Sequence, residues 1–195
     1  MTVFAIAHTK KQYLTYILSD SKSNARLEVV PERGGIITRL SLKGKEILYL
    51  DEKRFADASM SVRGGIPILF PICGNLPDNT YTHHGQSYTL KQHGFARDLP
   101  WEVIAEETEF CASLSLSLES NTTTYKDYPF NLPTSGKPFE NLAANNKPFV
   151  GKNALFCRFS SLFSSRGQKS ASFRYSCYPI PKSKHKRDLS VYRWF

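Results

Sequence analysis

The sequence predicts an all-β protein, an antiparallel β-sandwich or large barrel-like sheet, incomplete and ending in an irregular C-terminal tail. Three observations carry this. Apolar residues in the first 130 positions alternate at period two, glycine-centred turns separate the alternating runs, and no long amphipathic helix or internal repeat interrupts them. Ala25–Val30 reads as a strand, followed by the turn PERGG. IITRLSL is the next strand, with Ile37, Arg39 and Ser41 opposing Thr38, Leu40 and Leu42. Lys43-Gly44-Lys45 makes a tight turn, and Glu46–Leu50 resumes an extended run to complete a hairpin. Cys111–Leu118 alternates Leu114, Leu116 and Leu118 with Ser113, Ser115 and Ser117, the pattern of a half-buried antiparallel strand.

A chain of 195 residues is expected to form one domain with a sizeable core. No uninterrupted apolar run reaches membrane-spanning length. Val3–Ala7 is too short an apolar stretch for a signal peptide and has no basic region before it, so a cytoplasmic protein without a membrane partner is expected. Cys73, Cys111, Cys157 and Cys177 form no CxxC pair and lie near no histidine at ligand spacing. Thiols in a reducing compartment are expected, with no metal site. His83-His84, before Gly85, suits a loop or hairpin tip rather than a metal site, and His8 suits the surface.

Charge divides the chain. Residues 1–130 carry 14 Lys+Arg against 15 Asp+Glu, whereas residues 131–195 carry 12 Lys+Arg against 2 acids. The net charge of +9 therefore resides in the tail. After Tyr128-Pro129-Phe130, Asn, Ser, Pro, Lys and Arg dominate and no hydrophobic period is read. A disordered basic tail is one reading, although Phe and Tyr remain frequent. A change of reading frame near residues 129–133 is the other. Back-translating Asn153–Phe163 one nucleotide later permits M-P-F-S-V-G-F-H-P-Y-F, and Gly167–Lys182 permits a second coherent phrase. The expected organisation is thus a β-sandwich part over 1–130 and a frame-shifted or disordered basic segment over 131–195.

Two motifs carry chemistry. In Arg63-Gly64-Gly65-Ile66-Pro67 the glycines permit a sharp turn or a close ligand approach, and the arginine offers a planar fork of donors to a phosphate or to vicinal hydroxyls. A glycine-rich turn with a solvated arginine is the plain alternative. In Gln92-His93-Gly94-Phe95-Ala96-Arg97 the first two side chains supply donors and acceptors for hydroxyls, and Arg97 is a second cation able to share an anion with Arg63. Trp101 is either core or a stacking platform.

These residues resemble the galactose mutarotase-like superfamily, most closely the glucose-6-phosphate 1-epimerase (hexose-6-phosphate mutarotase) branch of the aldose 1-epimerases. VRGGIPILFPICG at Val62–Gly74 and QHGFARDLPWEV at Gln92–Val103 carry the resemblance, which spans about residues 25–130. It implies a supersandwich fold and interconversion of the α and β anomers of an aldose by a histidine acid and a glutamate base, with no cofactor. Arg63, Gln92, His93 and Arg97 would bind substrate, the arginines at a 6-phosphate and the other two at ring hydroxyls. No catalytic residue is assigned. The acid histidine arises only in the shifted frame, the base glutamate would fall beyond Phe195, and His185 in KSKHKRD is no substitute. The expectation is a monomer that takes a small-molecule sugar or sugar phosphate and is inactive as this chain. A non-enzymatic carbohydrate-binding module is the alternative. Nucleic-acid binding through Lys182–Arg187 and Arg193 is remote, and no nucleic-acid partner is expected.

Overall fold

The structure is a computed structural model that describes residues 3–130, 155–163 and 169–177. Strands β1 (Phe4–Lys10), β2 (Leu14–Asp20), β3 (Ala25–Val30), β4 (Ile36–Leu42) and β5 (Lys45–Glu46) form one antiparallel meander in chain order. The short helix α1 (Glu52–Ala56) follows, then a small hairpin of β6 (Thr80–His83) and β7 (Gln86–Thr89). Strands β8 (Glu102–Glu107) and β9 (Ala112–Leu118), helix α2 (Thr122–Asp127), and strands β10 (Leu155–Phe163) and β11 (Lys169–Cys177) complete the described elements. The second sheet has the order β10-β11-β9-β8, again antiparallel. Among the described residues no helix is long and apolar enough to cross a membrane.

One core joins the sheets. Leu18, Leu27, Val29 and Ile37 come from the first, Leu114, Leu116 and Leu118 from the second, and Ile68, Phe70, Phe95 and Trp101 from the segments between. Each such side chain contributes roughly 1.5–3 kcal/mol on burial, so this cluster holds the layers together. Trp101 belongs to it: the indole is buried and its Nε1 donates to the Ala96 carbonyl at 3.0 Å. Of the two roles open to Trp101, the structure selects core.

The antiparallel β architecture follows the sequence, as do the bounds of β3 and β4. His83 ends β6, and the turn His84-Gly85 has φ of 48° and 77°, the left-handed pair of a tight hairpin. Four details differ. A bulge at Thr38 sets Val29 against Ile37 but Glu28 against Arg39, so Thr38 is buried beside Ile37 and the simple alternation breaks. The run Glu46–Leu50 does not continue as a strand. After Ile47 N donates to the Leu40 carbonyl, the chain leaves β4 and Leu50 bridges Gly64. β9 is buried on both faces rather than one: Ser113, Ser115 and Ser117 are as buried as the leucines that alternate with them. Finally, the segment expected to be irregular contains β10 and β11. Ala171, Phe173, Tyr175 and Cys177 alternate with Ser170, Ser172, Arg174 and Ser176, a period-two run that the basic composition masks. The remainder of 131–195, including His185 and the basic run Lys182–Arg187, lies outside the described residues.

Ser113 gives a first test. Its Oγ is buried and has no hydrogen-bond partner among the described residues, so within them it bears the desolvation cost of a hydroxyl without the bond that offsets it. Ser113→Ala should leave the urea midpoint unchanged or raise stability by up to about 1 kcal/mol. A loss of that size would show that the hydroxyl is satisfied.

Candidate functional site

The two sequence motifs meet. Phe70 and Gly94 form a parallel bridge, and the Phe70 carbonyl accepts from Phe95 N at 3.0 Å and Ala96 N at 3.2 Å. Gly94 is required at this crossing: with φ of 69°, a Cβ there would lie 2.2 Å from the Phe70 carbonyl oxygen. Phe70, Phe95 and Tyr128 pack their rings together beneath the crossing, with Phe70–Phe95 and Phe70–Tyr128 edge-on at 6.0 and 5.6 Å. Burial pushes the Tyr128 phenol above its ordinary pKa.

His93 is fixed from both ends. Its amide donates to the Gly74 carbonyl at 2.8 Å, and its ring Nδ1 accepts from Gly74 N at 2.9 Å. An acceptor at Nδ1 places the neutral ring's proton on Nε2, which is then a donor for a ligand. The residue has φ of 65°, a conformation that costs a non-glycine residue roughly 1–2 kcal/mol. Gln92 is exposed, and its carbonyl accepts from Arg97 Nη2 at 3.1 Å. Arg97 lies in the 3-10 turn Ala96–Asp98. Its Nε is buried and has no acceptor among the described residues. The neighbouring carboxylate, Asp98, is occupied by Lys91 at 2.5 Å, so the Arg97 charge stands without an ion pair among the described residues.

Arg63 is held differently. Its carbonyl accepts from Asp51 N at 2.9 Å, Gly65 N donates to Tyr49 O at 2.7 Å, and Ile37 and Ile66 bond to each other through both backbone groups. The Arg63 residue is exposed. Gln92 and Arg97 are thus joined by a hydrogen bond with His93 beside Gln92 in the chain, whereas among the described residues no hydrogen bond joins Arg63 to any of the three.

Arg33, within the turn that the sequence offers as PERGG, was not singled out by its pattern. It is buried and donates through Nε to the Phe55 carbonyl at 3.2 Å and through Nη2 to the carbonyls of Arg54, Asp57 and Met60 at 3.4, 2.9 and 2.6 Å. Its only sequence signal is an arginine between Pro31-Glu32 and Gly34-Gly35. The carboxyl of Asp57 is held below its usual range, first by the Ser59 hydroxyl, then by the Ser59 amide, and to a smaller degree by Arg33. A cavity of about 310 Å³ lies between Leu99, Pro100, Glu102 and residues 117–121. None of the four candidate residues lines it, and its Glu102 and Glu119 make it unsuited to an anion. Among the described residues no three His, Cys, Asp or Glu side chains are grouped to hold a metal.

Residues 16–135 match the family model for aldose 1-epimerase. The chain belongs to that family. The match begins in β2, earlier than the motifs alone indicate, because β2 pairs directly with β3 in the same sheet. Curated proteins named "Putative glucose-6-phosphate 1-epimerase" from Salmonella typhimurium and Cenchrus ciliaris are 31% and 32% identical over 86 and 80 residues, 44% and 41% of this chain. Those stretches are 26% and 21% of the relatives' lengths. A crystal structure of a protein from Synechocystis sp. PCC 6803 is 56% identical with a TM-score of 0.60, covering 65% of this chain and 44% of the other. A galactose mutarotase-like protein from Clostridium acetobutylicum shares the fold at 16% identity, with a TM-score of 0.54 over 67% of this chain and 44% of the other. This aldose 1-epimerase family member therefore spans less than half the length of these relatives.

Proposed function

We propose that this chain binds the phosphate ester of an aldose, with Arg97 and Arg63 directed to the phosphate and Gln92 and His93 to ring hydroxyls. The observation that carries the reading is Arg97: among the described residues its buried Nε has no acceptor, and its nearest acidic neighbour in sequence already pairs with Lys91. A phosphate at the accessible part of the Arg97 guanidinium would supply the missing countercharge. His93, with its proton on Nε2, adds a donor suited to a sugar oxygen. The family name and the two relatives' names support an aldose, and a hexose 6-phosphate in particular.

In this reading the chain binds without accelerating anomer exchange. Ring opening needs an acid at the ring oxygen and a base at the anomeric hydroxyl, one on each side of a single carbon. Gln92, His93, Arg63 and Arg97 supply binding groups and no carboxylate base. Calorimetric titration with glucose 6-phosphate should show saturable binding, and Arg97→Ala should weaken it by about 2 kcal/mol, roughly thirtyfold. Equal affinity of the variant would remove Arg97 from the site. Polarimetry should find α-glucose 6-phosphate mutarotating at its spontaneous rate in the presence of the protein, and a clear acceleration would overturn the non-catalytic part.

A further inference from the structure

We infer that Arg33 is a positioning residue for the anion site: it touches no ligand itself but sets the Arg63 loop against the turn that carries Arg97. This rests on the sugar-phosphate reading above. The loop runs from Asp51 to Arg63, and its ends are joined by Asp51 N donating to the Arg63 carbonyl. Inside it, α1 is only five residues long and ends with carbonyls that no further turn can satisfy. Arg33 collects them. Its guanidinium bonds the carbonyls of Arg54 and Phe55 at the end of α1, and those of Asp57 and Met60 in the turn that leads back to Arg63. Arg54 Nη1 closes the same turn from inside, on the Ser61 carbonyl at 3.3 Å.

The other side of the Arg33 turn faces Arg97. Gly34, next in sequence, has φ of 78°, and a Cβ on it would stand 2.0 Å from the Arg97 carbonyl oxygen. The Pro31 carbonyl accepts from Trp101 N at 3.0 Å, which fixes the exit of the Arg97 segment. Residues 31–35 therefore contact both the loop that ends in Arg63 and the turn that contains Arg97. The two cations share no hydrogen bond among the described residues, so their separation depends on what lies between them. Arginine suits the task because its planar fork presents five donors in fixed directions, which a lysine ammonium cannot reproduce at four dispersed carbonyls.

The test compares the wild-type chain with Arg33→Lys and Arg33→Met by amide hydrogen exchange and by calorimetry with glucose 6-phosphate and with glucose. Exchange at residues 52–65 should accelerate roughly tenfold or more in both variants, while β3, β4 and β9 keep their protection and so report an intact fold. Glucose 6-phosphate should bind roughly tenfold more weakly, with glucose affinity unchanged. Unchanged exchange at 52–65 overturns the inference, as does faster exchange with wild-type affinity for glucose 6-phosphate, which would make Arg33 structural only. Failure of the wild-type chain to bind glucose 6-phosphate overturns the functional reading instead, and exchange then decides whether Arg33 holds the loop. Arg33→Lys keeps the buried charge and remains informative should Arg33→Met not fold.

Discussion

Gly94→Ala should destabilise the protein by about 3 kcal/mol, from the left-handed backbone together with the clash described below. Two effects combine. The backbone at Gly94 has φ of 69°, which costs an alanine roughly 1–2 kcal/mol. The added Cβ would also stand 2.2 Å from the Phe70 carbonyl oxygen and 2.6 Å from Pro71 Cδ, neither of which is the free end of a flexible side chain. The crossing would have to open, and the bonds from Phe95 N and Ala96 N to Phe70 O would lengthen with it. Urea unfolding at an unchanged m-value measures the loss. The same variant should lose ligand affinity, because Gly94 separates His93 from the Arg97 turn. A loss of stability below about 1 kcal/mol would show that the crossing is looser than its geometry indicates.

Gly74→Ala is the control. Gly74 also has a positive φ, 119°, but a Cβ there meets nothing within 4 Å. Its penalty should come from backbone conformation alone, with no Cβ contact to relieve, so it shows what a positive φ costs here in the absence of a clash.

What could be read from the sequence depended on whether the deciding contacts were local. The strand Ala25–Val30 and the His84-Gly85 turn were legible because alternation and turn chemistry are properties of neighbouring residues. The nearness of Gln92 to Arg97, joined by Arg97 Nη2 on the Gln92 carbonyl, follows from their lying in one segment. Arg33 was not legible, since its carbonyl partners lie 21 to 27 residues away and no side-chain pattern marks a carbonyl. Thr38 was misplaced because a bulge depends on the partner strand. The burial of Ser113, Ser115 and Ser117 was hidden in the same way: alternation describes a strand, while the number of covered faces depends on what the chain places around it.

Trp101→Ala should cost about 4 kcal/mol, as large-to-small core changes do when the cavity cannot collapse. The indole sits where Gly35, Ile68 and Leu116 converge: a Cβ at Gly35 would meet Ile68 Cδ1 at 2.7 Å, Leu116 Cδ1 at 3.1 Å and Trp101 Cδ1 at 3.3 Å. Backbone atoms on two sides limit relaxation, because Trp101 N is bonded to Pro31 O and Nε1 to Ala96 O. Trp101→Phe should retain most of the packing and lose about 1–2 kcal/mol, mainly from the Ala96 carbonyl left without its donor. Ligand titrations separate core from stacking platform. A platform would lose sugar affinity at unchanged stability. A core residue loses stability, and the folded fraction of Trp101→Phe binds glucose 6-phosphate as the wild type does. If Trp101→Phe instead kept the wild-type urea midpoint and bound the sugar phosphate tenfold more weakly, the indole would have to be placed against the ligand, and the Ala96 bond would be dispensable to the fold.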